Sequence, residues 1–277
     1  MQNKTVIITG ASEGIGAATA ERFYEKGANI VLIARREKEL MNFSNTFKDQ
    51  SRVRYYAMDV LNYEKFKLVL EETKTNFGKI DVLINNAGAN YRGPLLNVSP
   101  QEIEAVIAVN LTAPIILIRL ILPYLEEQNS GTIINIASLA GRTPVDNAAI
   151  YSASKFGIRT FTQSMVYEYA NSNKNIKFGL VSPGPIYTNF VLQNIDVVAD
   201  LVFSQKFSTA YEVADMIISC SEDKVFEYVS GGFFTRTLTN IGYLFPSIKR
   251  ILTPLMVAKG KRNREYIRKN MHKLPIR

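Results

Sequence analysis

The residues of this chain best suited to chemistry are Tyr151 and Lys155, with Ser138 thirteen positions before the tyrosine. A tyrosine and a lysine four positions apart lie on one face of a helix, one turn from each other. The pKa of a phenol is ordinarily about 10, and a nearby ammonium favours the phenolate, which brings proton transfer toward neutral pH. A serine hydroxyl at a neighbouring strand end could hold a carbonyl oxygen beside that phenol. The three residues predict acid–base chemistry at an oxygen, although a surface Tyr–Lys pair has the same spacing.

A glycine-rich turn near the N-terminus adds a candidate nucleotide site. The stretch Thr9–Gly16 reads TGASEGIG, follows an apolar predicted strand and opens a predicted helix. Glycines let the backbone approach a pyrophosphate, and the N–H groups at a helix N-terminus favour an anion. In this context the turn predicts a dinucleotide site that includes Gly10, Ser12, Glu13, Gly14, Ile15 and Gly16.

Two arginines after the second predicted strand indicate which dinucleotide is bound. A dinucleotide fold usually carries an acidic residue about 20 positions after the turn, where it binds the adenosine ribose. Here Arg35 and Arg36 occupy that region, and guanidinium groups suit a phosphate. The sequence favours NADP(H) over NAD(H), the alternative being that both arginines are solvated charges at a helix start. The carboxylate of Glu13 would weaken phosphate binding unless it points away.

The order of the predicted elements indicates the fold class. Apolar strands alternate with helices, the helices being predicted at 14–26, 37–49, 62–76, 99–128 and 150–173. This alternation predicts an α/β fold, a Rossmann-type doubly wound parallel sheet of about seven strands in three layers. The apolar segment 186–208 follows a Pro-Gly-Pro turn at the end of a predicted strand. It is predicted to be a lid over an apolar substrate, with an ordinary surface loop as the alternative.

Composition excludes several other kinds of site. The single cysteine, Cys220, allows no internal disulfide and is predicted to be a buried helix residue, while the single histidine, His272, lies in a basic tail. This inventory disfavours a zinc site or Ser-His catalysis, so no metal is expected. The N-terminus lacks the apolar region of a signal peptide, and Leu111–Leu125 is shorter than the roughly 20 residues of a membrane span. We therefore expect a cytoplasmic protein.

These features together resemble the short-chain dehydrogenase/reductase family, in its single-domain branch. The resemblance runs from about residue 4 to residue 190. It rests on the glycine-rich turn and on motifs that follow in family order, namely Asp59-Val60, Asn85-Asn86-Ala87-Gly88, Asn110, Ser138, Tyr151 with Lys155, and Pro183-Gly184-Pro185 with Thr188.

On the cofactor side, the resemblance implies contacts along the whole nucleotide. Asp59 would bind the adenine amino group, and Val60 would line the adenine pocket. After Asn86, which would brace the sheet, the small residues Ala87 and Gly88 would let the backbone approach the cofactor. The nicotinamide carboxamide would be positioned by the turn that contains Pro183, Gly184, Ile186 and Thr188.

On the catalytic side, the resemblance implies a proton relay. Asn110 would hold a helix bend and a water that passes protons to Lys155. Lys155 would bind the nicotinamide ribose and lower the pKa of Tyr151. Ser138 would hold the substrate oxygen while Tyr151 donates the proton that accompanies hydride transfer.

The implied function is an NADPH-dependent reductase of a ketone or aldehyde, with a hydrophobic or lipid-like substrate. One alternative is an alcohol or hydroxysteroid-type dehydrogenase that works in the oxidative direction. Another is an NADP-binding regulator without catalysis, which the presence of all four catalytic residue types disfavours. Because the family often assembles through its long central helices, a homo-oligomer, dimer or tetramer, is expected through 111–125 and 150–173.

The C-terminal part departs from the family pattern. Compact members end soon after a strand that leads into Gly-Gly, here 225–232, whereas about 45 residues follow it in this chain. We therefore divide the chain into an NADP-binding and catalytic domain, 1–240, and a C-terminal helical extension with a basic tail, 241–277. Eight basic residues and one acid give residues 259–277 a charge of +7, and 25 basic and 24 acidic residues leave the rest at +1.

Two interpretations of this extension remain open, and a third is not expected. It packs on the domain or on a partner subunit with a solvated tail, which we favour, or it contacts an anionic membrane peripherally. Nucleic-acid binding is not expected, because no recognised binding fold accompanies the charge.

Overall fold

The central strands carry apolar residues on both faces, so they require helices on both sides, and the computed structural model has this arrangement. It describes residues 1–90, 93–187, 195, 198, 200–223 and 225–270. The seven strands form one parallel sheet in the order β3-β2-β1-β4-β5-β6-β7. They are β1 (Thr5–Thr9), β2 (Asn29–Ala34), β3 (Val53–Ala57), β4 (Val82–Asn85), β5 (Gly131–Ile136), β6 (Ile176–Ser182) and β7 (Glu227–Val229). The predicted doubly wound parallel fold is confirmed.

Helices connect the strands and continue beyond the last one. They are α1 (Gly14–Glu25), α2 (Glu37–Ser44), α3 (Tyr63–Phe77), α4 (Pro100–Ile107), α5 (Ala113–Glu127), α6 (Ala149–Ala170), α7 (Asp200–Phe203), α8 (Ala210–Glu222), α9 (Gly232–Leu244) and α10 (Pro246–Lys269). A π-helical turn, Ala108–Thr112, joins α4 to α5, and short 3₁₀ turns lie at Gln50–Arg52, Leu95–Asn97 and Leu139–Gly141.

The second helix is shorter than predicted. The sequence indicated 37–49, but α2 ends at Ser44. The hydroxyl of Thr46 donates to the carbonyl of Phe43, a local bond that competes with helix continuation. Phe47 then turns inward against the rings of Tyr24 and Phe43. The chain thus leaves the helix before residue 49 and buries the ring of Phe47 instead.

Two apolar layers hold the sheet between its helices. Val6 and Ile8 of β1 pack with Phe23 of α1 and with Val213 and Ile217 of α8. The alternate residue of the strand, Ile7, points to the other face, where α3 and α5 contribute apolar residues that include Phe66, Leu70, Leu117 and Ile121. This side-chain alternation is what a strand buried on both faces requires.

One helical run is apolar enough to raise the question of a membrane span. Among the described residues, Pro100–Glu127 passes by length and composition. Its α5 part packs Leu117, Ile121 and Leu125 into the core beside the sheet. Packing against the sheet therefore accounts for the buried part of this run, 39% of its most apolar stretch.

Cys220 lies buried in α8, as predicted. Burial raises the pKa of its thiol to about 12. A thiol with that pKa stays protonated at neutral pH and is a poor nucleophile.

A buried ion pair fastens the C-terminal helices to the sheet. The guanidinium of Arg142 pairs with the carboxylate of Glu227 in β7, and both side chains are fully buried. Arg142 also donates to Thr239 and Asn240 of α9, at 3.1 and 2.7 Å. Since α9 begins at Gly232, the predicted boundary at residue 240 falls inside this helix, and the division into two parts stays a prediction.

Further donors complete the coordination of Glu227. Arg159 of α6 lies 3.2 Å from the carboxylate, and the hydroxyl of Ser182 lies 2.7 Å from it. Burial by itself would raise the pKa of Glu227, but the hydrogen bonds from Arg142, Arg159 and Ser182 outweigh it and hold that pKa below its ordinary value. A carboxylate with a lowered pKa stabilises the fold at neutral pH, and this contribution is lost as pH falls into the acid range.

We predict that Glu227→Leu lowers the free energy of unfolding by about 3–5 kcal/mol, because it leaves Arg142 buried without its counter-charge. Urea denaturation at neutral pH measures the change. Asp215→Asn, which breaks an exposed pair with Arg22, is the matched control and should have a much smaller effect. Equal losses of unfolding free energy in the two variants would contradict the prediction. It would also be contradicted if the stability of Glu227→Leu fell at acid pH as steeply as that of the wild type.

Candidate functional site

Two adjoining cavities form a cleft at the carboxyl ends of the strands. The first has a volume of about 280 Å³ and contains Ser138, Tyr151 and Lys155. The second has a volume of about 470 Å³ and contains the glycine-rich turn and the two arginines. The residues common to both walls are Ile15, Asn86, Gly88 and Ala89. The candidate catalytic residues and the candidate nucleotide site therefore belong to one continuous cleft, where open α/β sheets bind ligands.

The glycine-rich turn is held by side chains from two strands. The amide nitrogen of the Asn86 side chain donates to the carbonyls of Thr9 and Gly10, at 3.0 and 3.1 Å. The hydroxyl of Thr9 accepts from the backbone N–H groups of Asn86 and Ala87, both at 3.0 Å. These bonds lock the end of β1 to the end of β4, so the first turn of α1 starts from a fixed backbone.

The glycines of this turn leave room that only glycine allows. Gly10 has φ +66°, and a Cβ there would lie 2.9 Å from the Cα of Ala87. A Cβ at Gly16 would lie 2.2 Å from the carbonyl oxygen of Gly10. Gly16 thus lets α1 pack tightly beneath the turn. The open backbone cradle at the N-terminus of α1 is what a pyrophosphate requires.

Charged residues close the far end of the second cavity. Arg36 contacts the carboxylate of Glu13 at 2.6 Å and the hydroxyl of Ser12 at 3.4 Å, and both charged side chains are about half exposed. Arg35 lies beside this pair on the same wall. The carboxylate of Glu13 is therefore compensated by Arg36 rather than left to repel an anion.

Lys155 links the two candidate catalytic elements. Its ammonium is buried and donates to the carbonyl of Ile136, at 2.8 Å, where β5 ends. The same nitrogen lies 5.7 Å from the ring centre of Tyr151, one turn earlier on α6. Ser138 follows β5 by two residues, and its hydroxyl accepts from the N–H of Ala140 at 3.1 Å. Strand end and helix together bring the three residues to one wall.

Asn110 lies in the π-helical turn between α4 and α5, behind this wall. Its side chain pairs with both backbone groups of Ala89, at 2.8 and 2.7 Å. It also donates to the hydroxyl of Ser154 at 3.0 Å, and that hydroxyl donates to the carbonyl of Tyr151 at 2.7 Å. The helix irregularity predicted at Asn110 is present, and π-helical turns are frequent at functional sites.

Most of the predicted cofactor residues line the cleft. The second cavity contains Gly10, Ser12, Glu13, Gly14, Ile15, Arg35, Arg36, Asp59, Val60, Asn86, Ala87 and Gly88. The first contains Pro183, Gly184 and Ile186 with the catalytic side chains. Gly16 and Asn110 support the walls from behind, and Thr188 lies outside the described residues.

The base of the predicted lid is fixed on both sides. Ile186 bridges to Ser208, and the backbone of Tyr187 donates to the carbonyl of Ser208 at 3.0 Å. Val202 and Phe203 of α7 are buried in a cluster with Phe207. Of the lid residues, 188–194, 196, 197 and 199 lie outside the described part, including Phe190, Val191, Leu192 and Val197.

Sequence reasoning missed Gln205, which lines the first cavity. The side-chain oxygen of Gln205 is buried and has no hydrogen-bond partner among the described residues. A buried acceptor without a partner is costly, which makes it a candidate to bind a donor on a substrate. The only sequence signal was its place in the lid segment, because glutamine has no fixed position in the motifs.

Comparison with known proteins agrees with this geometry. The family model described as short chain dehydrogenase matches residues 4–196. The ketoacyl reductase HetN of Nostoc sp. is 33% identical over 258 residues, which cover 91% of this chain and 88% of that protein. An uncharacterized oxidoreductase of Staphylococcus saprophyticus is 35% identical over 190 residues, 68% of this chain and 80% of that protein.

Solved structures of short-chain dehydrogenases are also similar to this chain. A short-chain dehydrogenase from Streptomyces avermitilis superimposes with a TM-score of 0.75 at 25% identity, covering 91% of this chain and 95% of that one. A metagenomic short-chain oxidoreductase in complex with NADP has a TM-score of 0.69 at 29% identity, covering 83% and 97%.

We predict a rise in stability with alkaline pH that depends on Lys155. Burial lowers the pKa of Lys155 to about 8, from an ordinary 10.5. Between these two values the unfolded chain binds more protons than the folded chain at this position, so the free energy of unfolding should increase with pH across the window. Urea denaturation of the cofactor-free protein between pH 7.5 and about 10 measures it.

The comparison variant is Lys155→Met, which should lack this increase. Lys177→Met removes an exposed lysine of β6 and should keep it. If the free energy of unfolding rose equally with pH in the wild type and in Lys155→Met, the buried ammonium would not be the source of the rise.

Proposed function

This chain belongs to the short-chain dehydrogenase family, and we propose that it is an NADPH-dependent reductase that converts a hydrophobic ketone or aldehyde to the alcohol. Proteins of this family are oxidoreductases that bind a nicotinamide cofactor and act on small molecules. The observation that carries the proposal is the single cleft that joins Ser138, Tyr151 and Lys155 to the glycine-rich turn and the arginine pair.

The positions of the residues in the cleft suggest the role of each in the reaction. A bound nicotinamide supplies the hydride. Ser138 hydrogen-bonds the substrate oxygen, on which negative charge develops, and Tyr151 donates the proton to it. The Lys155 ammonium favours the phenolate that Tyr151 becomes. Asn110 and Ser154 hold the turn of α6 that carries Tyr151. In the oxidative direction the same phenolate would act as the base.

The preference for NADPH rests on the charge at the far end of the cleft. Arg35 and Arg36 stand where an NAD-binding fold carries an acidic residue. Glu13 keeps Arg36 in place at 2.6 Å, and the planar guanidinium suits a phosphate that approaches from the open side. The structural neighbour with bound NADP supports this choice.

The proposed substrate class rests on the walls of the first cavity. Its apolar side chains surround the few polar groups and include Leu139, Val145, Ile186 and Val202. Such a wall suits a carbonyl on an apolar chain, with Gln205 available to a polar group nearby. The relative named as a ketoacyl reductase supports a ketone of this kind.

We predict that Tyr151→Phe lowers NADPH-dependent turnover by at least 10²-fold, within the roughly 10²–10⁴-fold of general acid–base catalysis. NADPH oxidation is followed against a panel of apolar ketones and aldehydes. Tyr167→Phe on the exposed side of the same helix is the control and should keep wild-type rates. Near-wild-type turnover of Tyr151→Phe, with NADPH binding intact by fluorescence titration, would refute the proposed mechanism.

We predict that Arg36→Ala raises the KM for NADPH by roughly 10-fold or more and leaves the KM for NADH nearly unchanged, since a charge-assisted hydrogen bond is worth about 1.5–3 kcal/mol. Steady-state kinetics with both cofactors measure the effect. Glu13→Gln removes the negative charge but keeps an oxygen that can accept a hydrogen bond from Arg36, so it should not raise the KM for NADPH. Equal weakening of both cofactors by Arg36→Ala would count against a phosphate contact.

A further inference from the structure

Helix α9 presents an apolar stripe to solvent. Phe234, Leu238, Ile241 and Phe245 follow one another at helical spacing, and all four are exposed. Phe233 beside them is 84% exposed and Phe234 is 73% exposed. Apolar residues at this spacing normally face a partner, so the stripe is a surface that lacks one among the described residues.

Helix α10 continues this surface. Ile248, Ile251, Leu252 and Leu255 repeat at the spacing of one helix face and are all exposed, Ile251 by 75% and Leu255 by 71%. The two helices are consecutive and contact each other. We call the eight residues the apolar face: Phe234, Leu238, Ile241, Phe245, Ile248, Ile251, Leu252 and Leu255.

The opposite sides of both helices are fixed to the domain. Arg142 binds Thr239 and Asn240 of α9. The last turns of α10 pack on α7: Arg264 lies 2.9 Å from Asp200, and a Cβ at Gly260 would meet the carbonyl of Asp200 at 1.8 Å. These contacts orient the helices, so the outward position of the apolar face is specified by buried groups.

The charged residues in the stretch of sequence that carries the apolar face have one sign. From residue 228 to residue 264 the sequence contains no Asp or Glu, and it contains the basic residues Arg236, Lys249, Arg250, Lys259, Lys261, Arg262 and Arg264. Lys259, Lys261 and Arg262 are exposed just beyond the apolar face on α10. An apolar helical face flanked by clustered cations matches the surface of an anionic bilayer.

We propose that the apolar face and the neighbouring cations dock this protein onto an anionic lipid bilayer. A second copy of the chain fits less well, because a two-fold interface would set the same cationic segment against itself. An amphipathic helix at the headgroup boundary buries its apolar side and keeps its cations near the phosphates.

The docking surface is connected to the proposed substrate cavity through α10. Ile267 of α10 packs with Val202 and Phe203, and Asn263 donates to the carbonyl of Phe203 at 2.8 Å. Val202 and Gln205 of the same segment line the cavity. Under the proposed function, a bilayer-bound enzyme would take its apolar carbonyl substrate from the lipid phase.

Vesicle co-sedimentation of the full chain tests the docking without any assay of activity. The vesicles are phosphatidylcholine alone or an equimolar mixture of phosphatidylcholine and phosphatidylglycerol. One variant replaces Phe234, Ile251 and Leu255 with Ser, and a second replaces Lys259, Lys261 and Arg262 with Glu. The control replaces Leu68 and Leu96, exposed apolar residues elsewhere, with Ser. Truncation at Lys259 is avoided, because it would also remove the packing of Gly260 and Ile267 on α7.

We expect the wild type and the control to sediment with the mixed vesicles and not with phosphatidylcholine alone. Each of the two variants should weaken partitioning onto the mixed vesicles by more than about a hundredfold. Added salt should weaken the partitioning of the wild type. Thermal melting and NADPH binding verify that the variants fold. Equal recovery with both vesicle types would overturn the proposal. So would loss of self-association by the first variant in analytical ultracentrifugation without any loss of vesicle binding, which would assign the apolar face to contacts between copies.

Discussion

The hydrogen bond from the Lys155 ammonium to the carbonyl of Ile136 joins the helix that carries Tyr151 to the strand end that leads to Ser138. This bond joins elements that are separated in sequence by a loop and a 3₁₀ turn. Burying an ammonium opposes folding, since burial lowers its pKa. The site therefore keeps a charge that the core alone would not favour, as expected where function and stability compete.

The surrounding structure supports that junction from several sides. A Cβ at Gly141 would lie 2.5 Å from the carbonyl of Lys155, so the turn after Ser138 packs directly on α6. Asn110 holds the same helix through Ser154, and Arg142, the next residue after that turn, enters the buried pair with Glu227. One continuous set of contacts thus runs from the wall that carries Tyr151 and Lys155 to β7 and α9. It fixes this wall, while the segment with Val202 and Phe203 is held by separate apolar packing.

The fold, and the placement of Ser138, Tyr151 and Lys155 in one cavity, were largely predictable from sequence because their signals are local. Tyr151 and Lys155 share a helix face by spacing, and the glycine-rich turn lies between a strand and a helix. Gln205 and the Arg142–Glu227 pair gave no such signal, since their roles depend on contacts made across the fold, 85 positions apart for the ion pair. The early end of α2 was missed for a related reason, because Phe47 is drawn inward by rings that only the tertiary structure brings near.

The C-terminal helices show how charge and exposure must be considered together. The sequence places its excess charge in 259–277, which favoured a packed helix with a solvated tail. The structure separates two parts of α10: the turns around Gly260 and Ile267 pack on the domain, whereas Ile248–Leu255 carries the exposed apolar residues. The packed part contacts the segment that lines the first cavity. One helix therefore contacts the segment beside the first cavity near one end and carries part of the apolar face near the other, with Pro254 between the two parts.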